Sequence, residues 1–335
     1  MSSARQIARH AVASAFYASG GFRRITERRA KRKQVCVLGL HRILTEDDIE
    51  HSHSEAAIIL KRSTFAELCA FLAEHFEVVS LASVLDGKGT PSGRKPRCVL
   101  TFDDGWQDNY SHALPILKQF AFPATIFLAT AMMDSTSTFW VERVRGFASE
   151  SGNWRELRER ISGRIGKAAE KVELRDITEY LKHRSSEQRD KIIAEVIGEL
   201  PQAGASDRML TWEQVSEMAG AGVAFAGHTH THPLLPYEPA EKASSELCLS
   251  KEKLREHGSD AACGFAYPNG SWNQTVRKQV LDAGYTCAAT TQPGWFTPGE
   301  DVYSMRRILL HEGSVTGPDG RFSSSAAGLT LMGWR

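Results

Sequence analysis

Two rhythms alternate along the chain: short unbroken apolar runs, and longer stretches in which apolar residues recur at helical spacing. The run Val35-Cys36-Val37-Leu38-Gly39-Leu40 is apolar throughout, which predicts a strand covered on both faces, as in a parallel sheet. A helix over 64–74 is expected next, opened by Thr64 and Glu67 in the arrangement of a capping box. A short strand over 77–80, a strand over 98–102, a helix over 108–120 and a strand over 124–129 follow. The pattern then breaks. Residues 134–206 are polar and charge-dense with few β-favouring runs, which predicts a helical insertion packed beside the main body and forming a wall of a groove. Beyond it the spacing predicts a helix over 212–219, a strand over 223–226, a helix over 240–257 and a strand over 264–267. A helix over 274–283 and strands over 285–290 and 303–309 complete the series. Strands and helices in this alternation predict an α/β fold of the βα-barrel kind.

At 335 residues and 41% hydrophobic content, the chain can bury one large core, or one core and an appended subdomain. Residues 35–310 read as one catalytic domain between an N-terminal segment 1–34 and a C-terminal tail 311–335. The formal charge of +1 gives no global pull toward nucleic acid, which is not expected as a partner. Charge is concentrated near the start, where Arg23, Arg24, Arg28, Arg29, Lys31, Arg32 and Lys33 stand against Glu27. The preceding residues 11–22 are mildly apolar but well under the roughly 20 needed to span a bilayer. The basic cluster also follows the apolar run instead of preceding it, unlike a signal peptide. The leading expectation is a disordered basic tail, with a peripheral helix on an anionic membrane surface and a weak export signal as alternatives.

The six cysteines (Cys36, Cys69, Cys98, Cys248, Cys263, Cys287) show no Cys-x-x-Cys spacing and mostly sit in apolar runs. They read as buried free thiols of a reducing compartment, cytoplasmic or at the inner membrane face, although an even count leaves pairing in an exported protein open.

The chemistry concentrates in two segments, Val-Leu-Thr-Phe-Asp-Asp-Gly at 99–105 and Gly-His-Thr-His-Thr-His-Pro at 227–233. An apolar strand running into Asp103 and Asp104 places both carboxylates at a strand's C-terminal end, where α/β folds carry their chemistry. On an extended strand His228 and His232 would lie roughly 13 Å apart and could not share an ion. The segment must therefore turn, and on a helical turn the two imidazoles come within about 6 Å while His230 points elsewhere. One carboxylate and two neutral imidazoles suit zinc or a neighbouring divalent metal and leave a position open for water. Taken singly, a histidine-rich loop is often only solvated and Asp-Asp-Gly is often a plain turn. Their joint occurrence after apolar runs is what points to a site.

With these residues in view the chain resembles the polysaccharide deacetylases, the group that includes nodulation-type chitooligosaccharide deacetylases. The resemblance rests on Thr101-Phe102-Asp103-Asp104-Gly105 and His228-Thr229-x-x-His232. It continues through Asp108-Asn109-Tyr110, Pro123-Ala124-Thr125-Ile126-Phe127-Leu128, Phe265-Ala266-Tyr267-Pro268-Asn269-Gly270 and Ala283-Gly284-Tyr285, over roughly residues 35–310. It implies a distorted (β/α) barrel and a metal held by Asp104, His228 and His232, zinc first, with cobalt, nickel or manganese as alternatives. It also implies Asp103 as the general base and the backbone N–H of Asn269 as an oxyanion donor.

The activity implied is removal of N-acetyl groups from N-acetylglucosamine-type residues of a polysaccharide or oligosaccharide. The rivals are a non-catalytic carbohydrate-binding relative and a hydrolase of the same fold acting on another amide or ester. For the general acid, His311 matches the commoner C-terminal position. His41, which ends an apolar strand, matches the permuted arrangement of poly-N-acetylglucosamine deacetylases and is preferred. An arginine that pairs with the base in many relatives is replaced by Ala266, and Arg307 is a candidate substitute. The run Ser304-Met305-Arg306-Arg307-Ile308 looks like the closing strand of an exopolysaccharide-associated subgroup. Tyr267, Pro268 and Trp295 are expected against the sugar, and Trp106 and Trp272 are further candidates for stacking on it.

Overall fold

The computed structural model describes residues 3–86, 95–202, 204–258 and 264–333. Its strands are β1 (Val35–Leu40), β2 (Arg42–Leu44), β3 (Ile59–Lys61), β4 (Glu77–Val78), β5 (Arg97–Asp104), β6 (Ala124–Leu128), β7 (Val223–Gly227), β8 (Gly264–Ala266), β9 (Cys287–Ala289) and β10 (Ile308–Leu309). The main sheet is parallel in the order β10-β1-β5-β6-β7-β8-β9, with β4 beside the start of β5. Between β9 and β10 the ring closes by single links: an Ala289–Met305 bridge, Thr290 N–H to Met305 O, and Arg307 N–H to Gln292 O. The result is a distorted barrel surrounded by helices. The pair β2–β3, a separate two-stranded parallel sheet, was not legible as apolar runs because each strand has only three residues.

The period-2 alternation of the central strands sorts the two faces. Val35, Val37, Val99, Phe127, Ala226, Ala266 and Met305 form the cluster inside the barrel. Cys36, Leu38, Leu40, Leu100 and Phe102 pack outward under the helices. Continuing that alternation puts Gly39, His41, Thr101 and Asp103 on the inner side, toward the C-terminal rim.

Residues 134–206 form the expected insertion, with helices Trp140–Ser149, Ser151–Ile165, Leu174–Lys182 and Ser186–Val196 around a small core that includes Val144, Leu157, Ile161, Ile177 and Leu181.

The N-terminal segment departs from the leading expectation of a disordered tail: it is two helices, α1 (Ser3–Ala18) and α2 (Gly21–Lys31). Ala13 and Phe22 are buried, and Phe22 packs against Phe71 and Phe76. Tertiary packing thus orders a segment whose composition alone reads as solvated. The C-terminal residues likewise form helices Glu312–Val315 and Ser324–Leu331, the latter against α1, with Arg9 donating to Thr330 Oγ1 at 2.9 Å. Among the described residues no helix is long and apolar enough to cross a membrane.

Smaller corrections have local causes. Thr64 does not cap its helix, which starts at Arg62 after Lys61; its hydroxyl instead donates to Glu312. The helix over 108–120 opens as a π-turn, Asn109–Ala113, before Leu114–Phe120. The final strand shrinks to Ile308–Leu309 because Val302–Ser304 winds into a 3₁₀ turn. Cys36, Cys69, Cys98 and Cys287 are buried, and burial pushes the Cys69 thiol up to about 12. Cys248 is exposed, contrary to expectation, and Cys263 lies outside the described residues.

Candidate active site

Strand β5 delivers two carboxylates to one rim by breaking its own geometry. Asp103 is the last regular inward position, whereas Asp104 and Gly105 have φ of 80° and 89°. A side chain at 105 would meet Leu128 and Met133 at 2.8 Å, so the left-handed step there requires glycine.

Asp103 is buried and held by Arg307, with Nη1 to Oδ1 at 2.6 Å and Nη2 to Oδ2 at 2.7 Å. Arg307 is itself fixed by donating to Thr290 O at 2.9 Å and Thr101 Oγ1 at 3.2 Å. Gly39 lies beside this pair, and a Cβ there would collide with the Leu309 side chain. Burial pushes the Asp103 carboxyl up, but Arg307 outweighs it and holds the group below the usual carboxylate range. His41 Nε2 lies 3.8 Å from Asp103 Oδ2.

Asp104 turns one oxygen to each of two tasks. Oδ1 faces His228 Nε2 and His232 Nε2, both at 3.4 Å, while Oδ2 accepts from the Trp106 indole N–H at 2.9 Å. The ligand atoms of Asp104, His228 and His232 lie within 4.8 Å of one another. His228 Nδ1 contacts Ala266 O at 2.7 Å, and a carbonyl can only accept there, so Nε2 faces Asp104 and, in the neutral imidazole, turns its lone pair to the cluster. Burial drives His232 down to about 3, which favours the neutral imidazole a metal requires. The donor set, its convergence and its outer partners fit a divalent metal.

The histidines converge by a different route from the helical turn expected. Thr229 and His232 adopt left-handed φ of 67° and 64°, and the Thr229 hydroxyl accepts from His232 N–H at 3.0 Å. Glu246 fastens the loop by accepting from the N–H groups of His230 and Thr231 at 2.9 and 2.7 Å. His230 does point elsewhere, to Thr130 Oγ1 at 3.0 Å.

His41, Asp103, Asp104, His228, His232 and Asn269 share one cleft of about 280 Å³, walled on one side by Phe139, Trp140, Val141, Glu142 and Lys182 of the insertion. Asn269 sits in a left-handed turn with φ of 55°. His311 instead precedes the helix Glu312–Val315 and does not line the cleft.

Three expected sugar contacts are corrected. Tyr267 is fully buried, its hydroxyl donating to Tyr303 O and its ring stacked on Trp272. Pro268 is buried beside it and shapes the turn. Trp295 lies at the opposite end of the barrel, where Phe296 bridges to Val35, and its N–H donates to Leu331 O. Trp106, also expected as a stacking surface, is completely buried.

Several contributors escaped the sequence reading. Arg42 is fully buried, pairs with Asp108 at 3.0 Å and Asp207 at 2.5 Å, and lies 4.1 Å over the Trp106 ring that orients Asp104. Glu142 is 5% exposed and accepts from Ser54 Oγ at 3.3 Å, and burial pushes its carboxyl up to about 8. The only sequence signal was the proximity of Asp108 to the first motif.

A sequence model of the polysaccharide deacetylase family matches residues 90–288, more than half of the chain. The Bacillus subtilis (strain 168) protein YxkH is 25% identical over 235 residues, covering 69% of this chain and 59% of that protein. The chain therefore spans less than two thirds of the length of that relative. Among solved structures, the Streptococcus pyogenes deacetylase PplD in complex with acetate aligns with a TM-score of 0.55 at 19% identity, over 86% of this chain and 96% of that one. IcaB from Ammonifex degensii aligns with a TM-score of 0.56 at 18% identity, over 89% and 97% of the two chains. At such identities the likeness is one of fold. By the match over residues 90–288, the chain belongs to the polysaccharide deacetylase family.

Proposed function

We propose that the chain is a metal-dependent hydrolase that removes N-acetyl groups from N-acetylglucosamine-type residues of a polysaccharide or oligosaccharide. The observation that carries this reading is the convergence, in one cleft, of the Asp104–His228–His232 cluster with the Arg307-held Asp103 and His41. A divalent ion held by the three ligands, zinc by preference, supplies Lewis acidity toward water and the substrate carbonyl.

The remaining steps belong to side chains and backbone. Asp103, kept ionised by Arg307, takes a proton from the attacking water; each carboxylate oxygen retains a further acceptor site beyond its bond to the guanidinium. The water oxygen adds to the acetyl carbon, and the Asn269 N–H donates to the developing oxyanion. His41 then gives a proton to the departing nitrogen as the C–N bond breaks, releasing acetate and a free amine. The thiols of Cys36, Cys69 and Cys98, buried and outside any disulfide, support a reducing location, in the cytoplasm or at the inner membrane face.

The test is acetate release from N-acetylglucosamine oligomers by an Asp103→Asn variant. Turnover is expected to vanish with zinc content unchanged; persisting turnover would remove Asp103 from the role of base.

A further inference from the structure

A second concavity, about 470 Å³, opens between α2 and the 294–306 segment. It lies at the far end of the barrel from the catalytic cleft. Phe296 bridges to Val35, the first residue of β1, whereas His41 follows the last. Four arginines line it, Arg28, Arg29, Arg32 and Arg306, against the single carboxylate of Glu300, which accepts from Thr297 N–H at 3.2 Å.

This concentration of charge is local, because the chain as a whole carries only +1. It is also built from two distant segments. On α2 the positions 25, 28 and 29 share one helical face, continued by Arg32 at the C-cap, while Phe22, Thr26 and Ala30 anchor another to the body. Arg29 is pinned, its guanidinium 4.6 Å over the Trp295 ring and donating to Met332 O at 3.2 Å. Arg306 enters from across the cleft alongside Gly294, where a Cβ would come within 3.1 Å of its side chain. Among the described residues no carboxylate forms an ion pair with Arg28, Arg32 or Arg306.

Gathered guanidinium groups repel one another unless an anion joins them, and their planar forks match phosphate oxygens bidentately. The three unpaired forks of Arg28, Arg32 and Arg306 beside the pinned Arg29 offer more donors than one carboxylate accepts, whereas a phosphate or diphosphate group brings at least three oxygens and near-double charge. We infer that this cleft is a phosphate-binding site, separate from the catalytic cleft, that takes a mono- or diphosphate group. The inference does not rest on the proposed activity.

The test titrates pyrophosphate into the full chain by calorimetry. It compares wild type with Arg28→Gln/Arg32→Gln, with Arg306→Gln, and with His232→Ala, which removes any contribution from the metal cluster. Co-sedimentation with phosphatidylglycerol and phosphatidylcholine vesicles, with and without pyrophosphate, distinguishes a lipid headgroup from a soluble phosphate. Pyrophosphate affinity is expected to fall at least tenfold in the double variant, to fall in Arg306→Gln, and to be unchanged in His232→Ala. Pyrophosphate-displaceable binding to the anionic vesicles would assign the phosphate to a lipid; binding of pyrophosphate alone would assign it to a soluble ligand. The inference is overturned by three results: no pyrophosphate binding by wild type, binding unaltered in both arginine variants, or vesicle binding that pyrophosphate does not displace.

Discussion

Arg307 and Asp103 form a two-pronged ion pair, 2.6 and 2.7 Å, between residues 204 positions apart, and both side chains are buried. The pair restores from β10's approach what Ala266 cannot supply from β8. Breaking it by Arg307→Met leaves a carboxylate buried alone and should destabilise the fold by about 3–5 kcal/mol. In Arg307→Lys the fork is lost but charge remains. The Asp103 carboxyl, held low in the wild type, should rise, so the acidic limb of the activity profile moves to higher pH. A pH–rate profile of acetate release checks it, and an unmoved limb would separate Arg307 from the base.

Trp106 braces the candidate metal cluster from behind. Its N–H fixes the Asp104 oxygen turned away from the histidines. Trp106→Phe keeps the packing and should weaken zinc binding by about 10–100-fold, measured by competition with a chromogenic chelator.

His41→Ala should lower kcat by about 10²–10⁴-fold with metal content intact, while His311→Ala, outside the cleft, should leave kcat at the wild-type value. Steady-state kinetics on the two variants decide the identity of the acid.

Glu142 gives a pH test of stability. Its carboxyl rises from 4.5 to about 8 on folding, so its contribution is fully present below the unfolded value and is lost as pH climbs through the folded one. Glu142→Gln removes that dependence. Thermal melts of the metal-free proteins should show the variant gaining on wild type between pH 4.5 and about 8.

Four of the residues legible in the sequence share one property: His41, Asp103, Asp104 and His228 stand at or just past the end of an apolar run. His41 follows β1, Asp103 and Asp104 end β5, and His228 follows β7, so strand periodicity carried these four to one rim. What stayed illegible depends on partners far apart in the chain. Arg42 meets Asp207 across 165 residues, and Glu246 clamps the histidine loop from a helix that otherwise reads as a solvated face. Left-handed Asp104, Thr229 and His232 carry no glycine signature to announce them. Trp295 misled because an aromatic near a strand end says nothing about which end of the barrel it occupies. The basic N-terminus misled because composition does not show Phe22 seated among Phe71 and Phe76.

Metal dependence of the proposed N-deacetylation decides the mechanism. Its most direct measurement is acetate release from N-acetylglucosamine oligomers by the chelator-treated protein and by the same sample reloaded with zinc. No release is expected after chelation, with recovery on reloading. Equal release in both samples, or none from a reloaded protein that holds one zinc ion, would contradict that mechanism.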